Sequence, residues 1–147
     1  MIPLPARTNQ HLAVFGLGAS GRATARALAE SGARVTAWDD NAASREEAAR
    51  ENIPLCDLAD ADWTDISALV LSPGVPLTHP APHPVVALAR KADRPVIGDI
   101  ELLVEACPDA VLIGITGTNG KSTTSALVHH ILGEAGLPVQ IGGNFGP

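Results

Sequence analysis

"HLAVFGLGASG", His11 to Gly21, decides the fold class. A short apolar run ends abruptly at three glycines, Gly16, Gly18 and Gly21, in the spacing G-x-G-x-x-G, and an alanine-rich segment of helical character follows from about Ser20 to Ser31. After Gly32, placed where a helix C-cap is expected, "ARVTAWD" (33–39) returns to the strand pattern. Strand, glycine turn, helix and strand in that order predict a β-α-β unit of a parallel sheet. In such a turn the first glycine allows a tight reversal, the second lets backbone approach a diphosphate, and the third lets helix pack on sheet. The N-terminus of the helix offers free N–H groups and about half a positive charge to an anion. Asp39, at the end of the second strand, stands where an acid can accept a hydrogen bond from a ribose or a base. Nucleotide binding is therefore the expected role of this turn, and the motif does not distinguish NAD from a UDP compound.

The alternation of strands and helices continues downstream. "SREEAAREN" (44–52) predicts a helix with Ser44 as N-cap and Glu47 at the capping-box spacing, and a short strand is expected near Ile53 to Leu55. "SALVLS" (67–72) predicts a buried strand that stops at "PGVPLTHPAPHP" (73–84), where five prolines exclude regular structure. A helix over 85–92, a strand over 95–98 and a helix over 99–107 with Asp99 as N-cap come next. "AVLIGIT" (110–116) is the most apolar strand candidate, and "PVQIGG" (138–143) is a further one. The expected domains are residues 1–93, a nucleotide-type α/β domain, and 94–147, the opening of a second. One strand pair with its helix cannot close a core alone, so the chain is expected to be the front portion of something longer.

The second glycine-rich turn, "TGTNGKST" (116–123), lies between that apolar strand and a helix whose Leu127, Val128, Ile131 and Leu132 form an apolar stripe. Lys121 is placed to reach β- and γ-phosphates, the Ser122 hydroxyl to ligate magnesium, and the amides from Gly117 to Lys121 to cradle phosphate oxygens. The generic G-x-x-x-x-G-K-[ST] loop has glycine where this chain has Ile115.

Composition narrows the partners. With 46% apolar residues the 147-residue chain can bury a core, and a net charge of −6 argues against nucleic acid or an anionic membrane. Two isolated cysteines, Cys56 and Cys107, give neither a disulfide framework nor a zinc spacing and suit a reduced compartment. No export signal or membrane span is indicated, so a cytoplasmic setting is expected.

Both turns together, with "SPGV" (72–75), His79-Pro80, "GDIEL" (98–102) and "GGNFG" (142–146), resemble the Mur ligase family, in particular its D-glutamate-adding branch. The motifs run in that family's order from about Leu12 to Pro147, and "TGTNGK[ST]" is its own form of the phosphate loop, which accounts for Ile115. The resemblance implies a Rossmann-like parallel sheet domain followed by the start of a P-loop ATPase-type α/β domain. It implies ATP-dependent, magnesium-dependent ligation of D-glutamate to UDP-N-acetylmuramoyl-L-alanine through an acyl phosphate, in peptidoglycan precursor synthesis, by an enzyme monomeric at full length. It further implies that Gly18, Ala19, Ser20, Gly21, Asp39, Asp40 and Gly74 line the UDP site, and that Asn144 approaches the same substrate. Gly117, Thr118, Asn119, Gly120, Lys121, Ser122 and Thr123 would hold ATP, with Lys121 catalytic and Ser122 on magnesium. Asp40 departs from a family position that often carries a hydroxyl. The rival readings are an NAD(P)-binding domain of a dehydrogenase or redox sensor, which has no use for Lys121 and Ser122, and a nucleotide sensor without catalysis.

The remaining polar residues have plain readings. His79 and His83 stand four apart, but "HPAPHP" cannot be a helix, so a rigid loop is expected rather than a metal site. His129 and His130 flank an apolar stripe, and "REEAARE" (45–51) reads as a solvated helix face.

Overall fold

A computed structural model describes residues 2–143, in two compact units, Met1–Ala110 and Val111–Pro147. The first unit is a four-stranded parallel sheet with helices on both faces. Its elements are β1 (His11–Phe15), α1 (Ala19–Glu30), β2 (Arg34–Trp38), α2 (Ala42–Arg50), β3 (Ala68–Leu71), α3 (Pro84–Lys91), β4 (Val96–Gly98) and α4 (Asp99–Ala106), and the strand order is β2-β1-β3-β4. In register, Leu12 lies beside Val35 and Ala68, and Phe15 beside Trp38 and Leu71.

Continuous apolar strands are what a sheet covered on both faces requires. Along β1, Leu12 and Val14 point into one core with Ala25 and Leu28 of α1 and Leu102 of α4. Ala13 and Phe15 point into the other, with Val85, Val86 and Ala89 of α3 and the loop residues Leu58 and Ile66. The same alternation runs along β3, with Val70 on the first face and Leu69 and Leu71 on the second. Leu12, Leu28, Leu69 and Val86 are completely buried, and each such side chain contributes about 1.5–3 kcal/mol over its exposed state.

The helix ends follow capping chemistry. Gly32 ends α1 at φ +82°, and the Ala33 N–H reaches back to the Leu28 carbonyl at 3.0 Å. The start of α2 differs from expectation: Asn41, not Ser44, is the N-cap, its side chain accepting from the Ala43 N–H at 2.9 Å. Gly98 rather than Asp99 caps α4, and the Glu101 carboxylate accepts the Gly98 N–H. The acidic face of α2 is more than a solvated surface, because Arg22 and Arg26 of α1 pair with Glu47 and Glu51 at 2.7–3.0 Å.

The first unit continues past the boundary expected at 93. Val96–Gly98 hydrogen-bonds to β3 as the last strand of the sheet, and Leu102 of the following helix is in the core, so both belong with the first unit. The strand expected near Ile53 to Leu55 is reduced to a single bridge between Leu55 and Ala37.

The second unit contains α5 (Lys121–Glu134). Neither "AVLIGIT" nor the described residues of "PVQIGG" forms a strand, contrary to expectation. A strand exists only where a neighbour accepts and donates its ladder hydrogen bonds, and among the described residues these segments have none. Val111 is 91% exposed and no residue of α5 is buried.

Candidate functional site

The carboxyl ends of β1, β2 and β3 carry the chemistry-bearing residues of the first unit. The chain leaves β1 into α1 on one face and leaves β3 towards α3 on the other, so the two connections diverge. A crevice at such a switch point is where open α/β sheets bind ligands.

Each glycine of the first turn has a separate geometric reason. Gly16 has φ +93°, donates to the Trp38 carbonyl at 2.9 Å, and accepts the Ser72 hydroxyl at 2.6 Å. A Cβ there would lie 2.7 Å from the Ser72 Cβ and 2.9 Å from Val75, so the turn is wedged against the segment after β3. A Cβ on Gly21 would lie 1.7 Å from the Gly16 carbonyl oxygen, which is how closely α1 approaches the turn. Gly18, the N-cap of α1, is exposed with open space where a side chain would be. The first helical bond of α1 is Arg22 N–H to Gly18, which leaves the N–H groups of Ala19, Ser20 and Gly21 ahead of it, facing the anion end of the helix.

Asp39 and Asp40 at the tip of β2 have different environments. Both Asp39 oxygens are engaged by backbone: Oδ2 accepts from Leu17 N–H at 2.6 Å and Oδ1 from Asn41 N–H at 2.8 Å. Asp39 thus ties the glycine turn to β2, a structural duty that spacing alone did not separate from ligand binding. Asp40 is exposed, and its Oδ2 is 3.0 Å from His83 Nε2. Arg45 donates to the Asp39 carbonyl at 2.6 Å and to the Asp40 carbonyl at 2.9 Å while its guanidinium lies 4.6 Å from the Trp38 ring, fixing the backbone of this tip.

Gly74 lies exposed on the loop that follows β3, in a turn closed by Val75 N–H to the Ser72 carbonyl at 2.9 Å. Ser20 is hydrogen-bonded to Asp99, which brings the "GDIEL" segment to the start of α1. The structure therefore gathers Gly18, Ala19, Ser20, Gly21, Asp39, Asp40 and Gly74 at one end of the sheet. Ser72, Arg45 and His83 belong to the same end and were not singled out as site residues by the sequence. Only Ser72, inside "SPGV", carried a signal there.

In the second unit the phosphate-loop residues precede and open α5. Gly117 has φ +149° and Gly120, the helix N-cap, φ +75°, so the loop is built on left-handed glycines. Lys121 turns its ammonium back onto the Gly117 and Thr118 carbonyls. Thr118, Asn119, Ser122 and Thr123 are exposed. A cation, hydroxyls and unpaired first-turn amides at the start of a fourteen-residue helix are the donor set that a nucleotide polyphosphate takes. Asn144 lies outside the described residues. Among the described residues no cluster of His, Cys, Asp and Glu is arranged to hold a metal ion, and no helix is long and apolar enough to cross a membrane.

A family profile described as Mur ligase MurD-like, N-terminal domain, matches residues 10–98. Over 99% of its length the chain is 56% identical to UDP-N-acetylmuramoylalanine--D-glutamate ligase of Mesorhizobium japonicum and 54% identical to that of Rhizobium etli, and it is 53% identical to that of Phenylobacterium zucineum. It spans 32% of the length of each of these relatives. Among solved structures, shikimate dehydrogenase from Aquifex aeolicus superposes with a TM-score of 0.52 over 68% of this chain and 46% of that one, at 15% identity, a likeness of fold.

Proposed function

The chain belongs to the MurD-like Mur ligases, and from that premise we propose that it supplies the UDP-binding domain and the ATP phosphate loop of a ligase joining D-glutamate to UDP-N-acetylmuramoyl-L-alanine. The carrying observation is that one chain holds both an open glycine cradle at a sheet switch point and a Gly-Lys-Ser loop opening a helix. In this reading the first unit is the substrate domain and the phosphate loop begins the ATPase domain.

The amides at the start of α1, with Gly18 leaving room for close approach, hold the diphosphate of the UDP compound. Ser20, Asp39, Asp40 and Gly74 border its nucleoside end, and Asn144 meets the same substrate farther along. The ligation itself must place negative charge between a carboxylate and a polyphosphate. Pre-oriented positive groups at that position are the largest aid available. Lys121 and the amides from Gly117 to Lys121 fill that role at the β- and γ-phosphates, with Thr118 and Asn119 contributing backbone and Thr123 an auxiliary hydroxyl. Ser122 would offer its hydroxyl to magnesium, which when bound would neutralise phosphate charge. The Lys121 ammonium now rests on its own loop carbonyls, so phosphate binding exchanges those two neutral acceptors for anionic oxygens. The enzyme acts on small molecules in the cytoplasm, as a monomer at full length.

Calorimetric titration of the 147-residue chain with UDP-N-acetylmuramoyl-L-alanine, and with NAD in parallel, tests the reading. Saturable binding of the UDP compound alone is expected. Binding of NAD alone would replace the ligase reading by the dehydrogenase-type one, and binding of neither would refute the claim that this chain holds a formed UDP site.

A further inference from the structure

We propose that His83 is a positioning residue for the nucleoside end of the UDP site and acts through Asp40; the inference rests on the UDP reading above. Three contacts fix the His83 ring. Its Nδ1 accepts the Val85 N–H at 3.3 Å as the N-cap of α3, which leaves Nε2 as the protonated nitrogen, and Nε2 donates to Asp40 Oδ2 at 3.0 Å. The ring also lies 4.4 Å from the ring of Phe15, the last residue of β1. Phe15 is buried, and Val85 and Val86 of α3 are in the core, so the histidine is held between the end of β1 and the start of α3.

His83 therefore spans from the connection after β3, across the end of β1, to the tip of β2. That is the width of the candidate site. Of the two acids at that tip, Asp39 has spent both oxygens on the backbone of the turn. Asp40 has spent one, on His83, and its Oδ1 has no partner among the described residues. Arg45 holds the Asp40 carbonyl, so the backbone is fixed and the exposed side chain is what remains free to rotate. His83 removes that freedom before a ligand arrives. Asp40 then offers a pre-oriented acceptor to a nucleoside donor, a ribose hydroxyl or the uracil N3–H, and saves the ordering cost of binding.

The test is a calorimetric titration of the 147-residue chain with UDP, using His83→Ala, His83→Asn, Asp40→Ala and the double variant His83→Ala/Asp40→Ala. Asparagine keeps an N-cap acceptor for α3 but is too short to reach Asp40, so His83→Asn separates the two duties. The expected result is UDP affinity about five- to tenfold weaker in both His83 variants, with the melting temperature of His83→Asn kept near that of the parent. In the Asp40→Ala background, His83→Ala is expected to cost nothing further, because residues acting through one contact are not additive. Parent-like affinity in His83→Asn, or losses that add in the double variant, would overturn the inference while leaving UDP binding by the parent intact. Failure of the parent to bind UDP would overturn the UDP reading and this inference with it.

Discussion

The two glycine-rich turns share a grammar, apolar run, glycines and helix, yet differ in what surrounds them. In the first turn, Gly16 and Gly21 are buried, and side-chain atoms added to either would collide with Ser72, Val75 or backbone. In the second, Gly117 and Gly120 are exposed, and among the described residues a Cβ would meet at most one backbone atom, the Asn119 carbonyl oxygen 3.6 Å from a Cβ on Gly117. Left-handed backbone is common to both; enclosure is not. The lesson is that a motif specifies the dihedral angles of a loop, whereas neighbouring strands specify how rigidly it is held.

Paired substitutions test that contrast most directly. Gly21→Ala is expected to cost about 3 kcal/mol or more, because the new methyl meets the Gly16 carbonyl and neither backbone can yield cheaply. Gly120→Ala meets no atom of the described residues within 4 Å and is expected to cost about 1 kcal/mol, the penalty of a non-glycine at positive φ. Urea denaturation followed by circular dichroism measures both; equal losses would break the comparison. An effect between these two is expected at Asp39→Ala, about 2 kcal/mol, since the N–H groups of buried Leu17 and of Asn41 lose their acceptor. Asp39→Asn retains one acceptor oxygen and should recover part of it. If Asp39→Ala left the denaturation midpoint unchanged, the carboxylate would be a ligand group only, and the turn would be as loosely held as the second one.

A pH-dependent effect lies at the opposite end of β1. His11 Nδ1 faces Arg34 Nη2 at 2.7 Å and Nε2 faces Thr36 Oγ1 at 2.7 Å; Arg34 can only donate, so the ring is neutral and Nε2 donates to Thr36. Asp65 lies 3.5 Å from the same ring but is paired with Arg34, so its charge is already matched. Burial, then the Arg34 charge, lowers the His11 pKa below 6.5. The folded state consequently binds fewer protons than the unfolded state just below pH 6.5, and stability falls as pH drops from there towards the folded-state value. Denaturation of His11→Gln and the parent at pH 7 and pH 5 should show the parent losing more, by less than about 1.4 kcal/mol per pH unit for one proton. A parallel decline in the two proteins would show that the ring is not the responsible group.

Much of the first unit was legible in the chain because β1 and β3 are largely apolar along their length, β2 alternates, and the breaks are marked by glycine and proline. β1, β2, β3 and α1 start or stop within a residue or so of "HLAVFG", "ARVTAWD", "SALVLS" and Gly32. "AVLIGIT" has the same local signal and is no strand, since composition states what a segment would bury and not whether a partner lies alongside. The boundary near 93 was misplaced for the same reason: "PVIG" reads equally well as the start of one sheet or the edge of another, and pairing with β3 decides it. At the site, the glycines were readable from spacing, because each answers a local need. The duties of Asp39 and His83 were not, since each depends on a residue distant in the sequence, Leu17 and Asp40 respectively, and that of Arg45 depends on how the chain folds between β2 and α2.

The wedge at Gly16 also limits how the gene can change length. Gly16 is bonded to Trp38 on one side and to Ser72, 56 positions away, on the other, and Gly21 presses on it from α1. One codon gained or lost among 16–21, 38–39 or 72–75 would shift a residue out of this junction and cannot be absorbed locally. Codons gained at the exposed positions 77–82, or in the turn around Asp60, pass outside the junction. Insertions and deletions tolerated during divergence should collect in those two stretches, and a tag or reporter placed in either should leave the junction intact.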